Sequence, residues 1–216
     1  MFNDETTIHP ALHHVGLTTG DMARLADWYA KVLGMRLVFR SENPIGAKEG
    51  DLRPRAAWLT NDAANHRIAV VELPGLVFDA ERGKHQRLQY VAFAYRTLDE
   101  LLGTYKRLKT LGILPLLSVD ERAQTAFYYE DPDRNSIELN VSNYGEFGEN
   151  WTSIEHMQTS PDFARRPLGV DVDPDKLVAA REAGGSPWEL HKRAWRHEFA
   201  PAEPYNPMVL LLQVRP

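Results

Sequence analysis

The feature that most constrains this chain is an internal repeat. Leu12-His-His-Val-Gly-Leu17 matches Leu88-Gln-Tyr-Val-Ala-Phe93 without a gap. Each stretch is followed by a helical pattern. Met22 to Leu33 carries Met22, Leu25, Trp28 or Tyr29, and Val32 at helical spacing. Leu98 to Leu111 places Leu101 on Leu25 and Tyr105 on Tyr29. Gly34 and Gly112 are the expected helix ends, the second after a two-residue insertion. Strand-like runs follow in both halves: 35–39, 56–59 and 67–71, then 114–118, 126–129 and 136–141. Ala126-Phe127-Tyr128 falls on Ala57-Trp58-Leu59, Asp131 on Asp62, Ile137 on Ile68 and Glu138 on Ala69. The order β-α-β-β-β therefore occurs twice.

Two such units predict an α+β protein. A four-stranded sheet is too small to bury both faces, so each is expected to be backed by its own helix. Two related sheets can pair into a curved trough lined by their uncovered faces. The expected organisation is a first βαβββ module at 9–75, a second at 86–145, and a C-terminal extension at 146–216. Residues 1–8 are expected to be a loose arm and 41–54 a loop. The extension should hold a short helix at 175–183, capped by Asp173 or Asp175, and a final apolar strand at 207–214. It is expected to cover the trough or a dimer interface, because an exposed apolar strand invites pairing with another chain. A homodimer or higher homo-oligomer is thus expected.

The chemistry gathers at Phe127-Tyr-Tyr-Glu-Asp-Pro-Asp-Arg-Asn-Ser-Ile-Glu-Leu139. This reads as strand, Asp-Pro-Asp turn, strand. Ile137, Leu139 and Val141 share one face, with Glu138 on the other between Ser136 and Asn140. From pattern alone a single carboxylate such as Glu138 on a polar strand face is usually plain solvent exposure, and it is the rest of the chain that argues for a functional one. The repeat puts it at a place equivalent to Ala69, with His14 and Tyr90 equivalent to each other. On strand alternation His14 faces the site and His13 faces away.

Composition excludes several classes. The 216 residues carry a formal charge of −5, which argues against nucleic acid. No apolar run approaches the ~20 residues of a membrane span, and the acidic start is unlike a signal peptide. A cytoplasmic protein is expected. With 0 Cys, 8 His and 30 carboxylates, a metal would be held by nitrogen and oxygen.

At these residues the chain resembles the vicinal oxygen chelate superfamily, which includes glyoxalase I, bleomycin-resistance proteins and type I extradiol dioxygenases. Within it the similarity is greatest to single-chain biphenyl-diol-type enzymes. The resemblance rests on Leu12-His-His-Val-Gly-Leu17, Asn65-His-Arg-Ile-Ala69, Tyr128 to Leu139, and Trp151-Thr-Ser-Ile-Glu-His-Met157. It implies a ring-cleaving dioxygenase acting on a catechol-like aromatic with dioxygen at a mononuclear site. The metal implied is Fe(II), with Fe(III), Mn or no metal left open. It further implies His14 and Glu138 as metal ligands, His66 as a proton-handling group, and Tyr128 as a hydrogen-bond partner of a substrate hydroxyl. Ala69, where glyoxalase-type enzymes carry a further ligand, favours a three-ligand site.

Two positions depart from that pattern. The second ligand imidazole is expected at 90, where this chain has Tyr90. Near 121, where related dioxygenases carry another His, it has Glu121. Tyr90 is the candidate third metal ligand at position 90, but a phenol of pKa ~10 must lose its proton to bind well, and phenolate suits ferric iron. His85 lies too far from position 90 to replace it. The alternative reading is therefore a lyase, isomerase or cyclase on an aromatic or polyketide-like substrate. A further one is a non-catalytic protein that sequesters an aromatic ligand.

Overall fold

The computed structural model describes residues 10–41, 54–145 and 151–211. The expected arm at 1–8 and most of the expected loop, 42–53, lie outside the described residues. The chain divides between Phe78 and Asp79 into two compact units.

In the first unit β1 (Val15–Thr19), α1 (Met22–Leu33), β2 (Arg36–Arg40), β3 (Arg55–Thr60) and β4 (Ile68–Glu72) follow in order. The Asp21 carboxylate caps α1 by accepting from Arg24 N at 3.0 Å, and Gly34 ends it with φ 63°. Met22, Leu25, Trp28, Tyr29 and Val32 recur at helical spacing and are buried. The sheet runs β1-β4-β3-β2, with β1 parallel to β4 and the other pairs antiparallel. A register shift between Leu37 and Phe39 interrupts the edge pairing.

The second unit repeats the order with β5 (Tyr90–Tyr95), α2 (Leu98–Thr110), β6 (Leu117–Asp120), β7 (Gln124–Glu130) and β8 (Ser136–Ser142). Thr97 and Glu100 form a capping box at α2, and Leu98, Leu101, Leu102, Tyr105 and Leu108 are buried. Leu101 and Tyr105 thus do what Leu25 and Tyr29 do in α1. Gly16 pairs with Ala69 as Ala92 pairs with Glu138, so the parallel strands share one register.

The antiparallel hairpins do not. Trp58 pairs with Ala69, whereas Tyr128 pairs with Glu138. The counterpart of Tyr128 is therefore Trp58, not Leu59, and the expected alignment is off by one on this strand. The cause is a turn one residue shorter in the second hairpin. Asp131 Oδ1 accepts from Asp133 N and Asn135 N, and Arg134 takes φ 64°.

The extension belongs to the second unit. It contains α3 (Trp151–Gln158), α4 (Pro161–Arg165), β9 (Val170–Asp171), α5 (Pro174–Glu182), α6 (Pro187–Ala194) and α7 (Met208–Leu211). The expected strand at 207–214 is instead helical at Met208–Leu211, and 212 onward lies outside the described residues. A short apolar run fits either structure, and pattern alone does not decide between them.

β9 pairs with β6, giving a five-stranded order β5-β8-β7-β6-β9 and covering that edge. α5 lies against α2 through Tyr105 Oη donating to Asp175 at 2.9 Å and Arg181 donating to Asp99 at 2.6 Å. Asp120 is the hub of the attachment. Its carboxylate is paired with His191 Nδ1 at 2.8 Å, and accepts from Trp195 Nε1 at 2.9 Å and Asn143 Nδ2 at 3.2 Å. Among the described residues no helix is long and apolar enough to cross a membrane.

The chain reaches β9 through Gly169, at φ 78°. A Cβ there would overlap the Asp120 carbonyl oxygen and stand 2.8 Å from Glu121 Cα. Gly169→Ala is therefore expected to destabilise the second unit by about 2–3 kcal/mol, through clash and left-handed strain. Urea unfolding followed by circular dichroism measures this; an unchanged midpoint would contradict the close approach.

Candidate functional site

Each unit holds one cluster of the expected site residues. In the first, His14 and His66 come together, with ring centroids 4.3 Å apart. His13, expected to face away, joins them: its ring is 5.1 Å from His14 and 5.2 Å from His66. The reason is local. β1 begins at Val15, so alternation does not govern His13 and His14. His13 Nδ1 and His14 Nδ1 are 2.8 Å apart, a hydrogen bond in which one nitrogen donates and the other accepts. His66 stacks on Trp58, with centroids 5.0 Å apart and planes 19° apart, and its Nδ1 meets Asn65 Oδ1 at 2.8 Å. Desolvation, then the neighbouring His14 and His13, hold the His66 pKa below its ordinary value.

The second cluster is built on one face of the second sheet. Strand pairing puts Ala92, Tyr128 and Glu138 side by side, with Tyr90 and Ser136 one step along. The opposite face, with Phe127, Ile137 and Leu139, packs under α2, where the Phe127 and Tyr105 rings meet at 5.8 Å. Both faces of β8 are thus closed, and Glu138, 1% exposed, is not the solvated carboxylate that pattern alone allows.

Hydrogen bonds hold it. Glu138 Oε1 accepts from Gln124 Nε2 at 2.7 Å and from Asn140 Nδ2 at 2.6 Å. Gln124 Nε2 also donates to Glu121 Oε2 at 3.0 Å, and the Tyr128 hydroxyl donates to Glu121 Oε1, also at 3.0 Å. One amide therefore joins two carboxyls. Burial raises the pKa of both. The nearby Glu121 adds to the rise at Glu138, and Asp120 adds to that at Glu121. Burial, followed by the Glu121 and Glu138 charges, pushes the Tyr128 phenol far up.

Tyr90, Glu121 and Tyr128 line a cavity of about 360 Å³ closed on the other side by Leu168, Gly169 and Pro207. That volume is in the range of small-molecule sites, about 300–1,000 Å³. A larger open groove of about 620 Å³ runs beside α2, away from these carboxyls. Two of its charged groups are already engaged: Asp99 pairs with Arg181, and the Glu100 carboxylate accepts from Arg96 N and Thr97 N at the start of α2.

The donors in the second unit do not fit a ferrous site of two imidazoles and one carboxylate. Tyr90 supplies a phenol whose pKa is raised by burial and by Glu138 and Glu121, so it keeps its proton at neutral pH. Glu121 adds a carboxyl where the resemblance implies an imidazole. Sequence reading missed Gln124 and Asn140 as supports of Glu138. Their alternation with Tyr128 and Glu138 on paired strands was the available signal.

Fold and sequence comparisons agree on the class. A model of the Glyoxalase/Bleomycin resistance protein/Dioxygenase superfamily matches residues 11–139. The chain belongs to that superfamily. It is similar to biphenyl-2,3-diol 1,2-dioxygenase 2 of Rhodococcus globerulus, 29% identical over 95% of this chain and 98% of that protein. It is 30% identical to biphenyl-2,3-diol 1,2-dioxygenase 3 of the same organism, over 88% of this chain and 91% of that one. A crystal structure of a glyoxylase/bleomycin resistance protein/dioxygenase domain from Frankia sp. EAN1pec shares the fold. Its TM-score is 0.53 at 17% identity, covering 62% of this chain and 99% of that chain.

The raised carboxyl pKa values fix a pH dependence. An unfolded Glu loses its proton near pH 4.3, whereas folded Glu121 and Glu138 keep theirs to higher pH. Above pH 4.3 these two groups have released protons in the unfolded chain that they still bind in the folded unit, so their own contribution to stability falls as pH rises toward the folded values. Glu138→Gln keeps an oxygen for both amide donors and removes one titration. Its Tm relative to wild type is expected to improve between pH 4.5 and pH 7.5, by about 2–4 °C for each kcal/mol relieved. Melting curves at the two pH values test the sign.

Proposed function

We propose that this chain is an enzyme acting on a catechol-like aromatic molecule in the second unit's cavity, with acid–base chemistry supplied by Glu121, Tyr128 and Glu138. The observation that carries the reading is the buried Glu138 carboxyl joined through Gln124 to the half-buried Glu121, with Glu121 and Tyr128 at a cavity of about 360 Å³. The substrate class is supported by the relatives, whose names specify biphenyl-2,3-diol. A vicinal diol offers two hydroxyl donors, which match carboxylate acceptors.

In this reading Glu121 takes or returns a proton at a substrate hydroxyl. Tyr128 orients Glu121 by donating to Oε1 and reaches the same ligand with its oxygen as acceptor. Glu138, held by Gln124 and Asn140, fixes the geometry of the pair. Tyr90, 41% exposed at the cavity, presents an aromatic edge to the ring; its own ring meets Tyr128 at 5.7 Å. The reaction class is a lyase, isomerase or cyclase step that needs proton transfer and no oxygen.

The second reading is ring cleavage by dioxygen at an iron site using His14 and Glu138, with His66 handling protons. Its support is the similarity to two biphenyl-2,3-diol 1,2-dioxygenases along most of the chain.

One experiment separates the two. Purified protein is given 2,3-dihydroxybiphenyl and smaller catechols with oxygen uptake and products monitored, with and without chelator and ferrous iron. Turnover that survives chelation and exclusion of oxygen, and falls about 10²–10³-fold in Glu121→Gln, is the expected result. Oxygen uptake that needs ferrous iron and rises in Tyr90→His would favour ring cleavage and overturn the first reading.

A further inference from the structure

We propose that His13, His14 and His66 form a three-imidazole site for one divalent transition-metal ion, of the Zn²⁺, Ni²⁺ or Cu²⁺ type, built wholly within the first unit. One nitrogen from each ring lies within 4.8 Å of the other two. Two imidazoles on a tetrahedral ion, each about 2.0–2.1 Å from it, stand about 3.3 Å apart. His13 Nδ1 and His14 Nδ1, now 2.8 Å apart and sharing a proton, need to separate by only about half an ångström and release that proton.

The third ring is already oriented. Asn65 Oδ1 accepts from His66 Nδ1, which leaves Nε2 as the unprotonated donor, and Trp58 fixes the ring plane by stacking. An oxygen on the far nitrogen is the support that metal-bound imidazoles use. Arg67 Nη1 donates to the His13 carbonyl at 3.0 Å and so holds the backbone of that ligand. The Arg67 charge is balanced by Asp62, whose Oδ2 accepts from Nε at 2.9 Å.

Nothing in packing requires this convergence. His13 and His14 are exposed, so three rings gather without burying a core. Three nitrogen donors with no carboxylate favour zinc, nickel or copper over calcium or magnesium, and leave a fourth position open. The set shares only His14 with the ligands that the superfamily resemblance implies, and it needs neither Glu138 nor position 90. It is also independent of the acid–base reading of the second unit.

The test uses the full chain, stripped with chelator and titrated with ZnCl₂ by calorimetry, with Co²⁺ absorption as a readout of coordination. Wild type is expected to bind one ion per chain. His13→Ala and His66→Ala should each weaken binding about tenfold or more, while Glu138→Gln changes it less than twofold. Circular dichroism confirms that the variants fold, and His13, being exposed, is the safer of the two histidine substitutions. Failure of wild type to bind, undiminished binding in both histidine variants, or loss of binding in Glu138→Gln would each overturn the proposal.

Discussion

A carboxyl group on a strand covered on both faces must find hydrogen-bond donors, or its burial costs more than the strand can return. Glu138 meets that condition with two amides on one oxygen. The consequence spreads outward. Gln124 has two N–H groups, and the one not used by Glu138 goes to Glu121. Glu121 in turn takes the Tyr128 hydroxyl. Neighbouring strands are thereby committed to one polar network, and its far end opens on a cavity. In a low-dielectric setting such a network is rigid when complete and costly when broken. The same burial that holds the geometry raises the proton affinity of both carboxyls.

Much of this plan was legible in the residues. The repeat was visible because helices α1 and α2 bury the same positions, Leu25 with Leu101 and Tyr29 with Tyr105, under the same spacing. The superfamily was legible in the paired strand motifs that carry it. Register in the hairpins was not: a turn shorter by one residue moves every partner, and nothing in the turn's composition fixes its length. His13 was misjudged because alternation holds only inside a strand, and the strand begins two residues later. The burial of Glu138 was hidden because the carboxyl alternates with Ser136 and Asn140, which resemble a wet face until the amides between them are counted. The final helix was read as a strand because four apolar residues fit either period.

One buried acid is the hub of the extension's attachment. Asp120 ends β6, pairs with β9 through its backbone, and takes side-chain partners from α6 and beyond. His191 and Asp120 are 8% and 1% exposed, so this is a protected pair rather than a surface bridge. Arg122 lies over the Trp195 ring at 3.6 Å and closes the same junction. Since Glu121 follows Asp120 directly, the attachment of the tail and the position of the cavity carboxyl rest on one short piece of backbone.

The division of the chain has a consequence for synthesis. Every strand of the four-stranded sheet lies before Phe78 in sequence, so its hydrogen-bonding partners have all left the ribosome early. The five-stranded sheet is different. Its edge strand arrives at Val170, and the partners of Asp120 are complete only at Trp195. At elongation rates of about 5–20 residues per second, the nascent second half waits several seconds with its sheet edge uncovered and that acid lacking its His191 and Trp195 partners. The interval falls on one half of a duplicated architecture only.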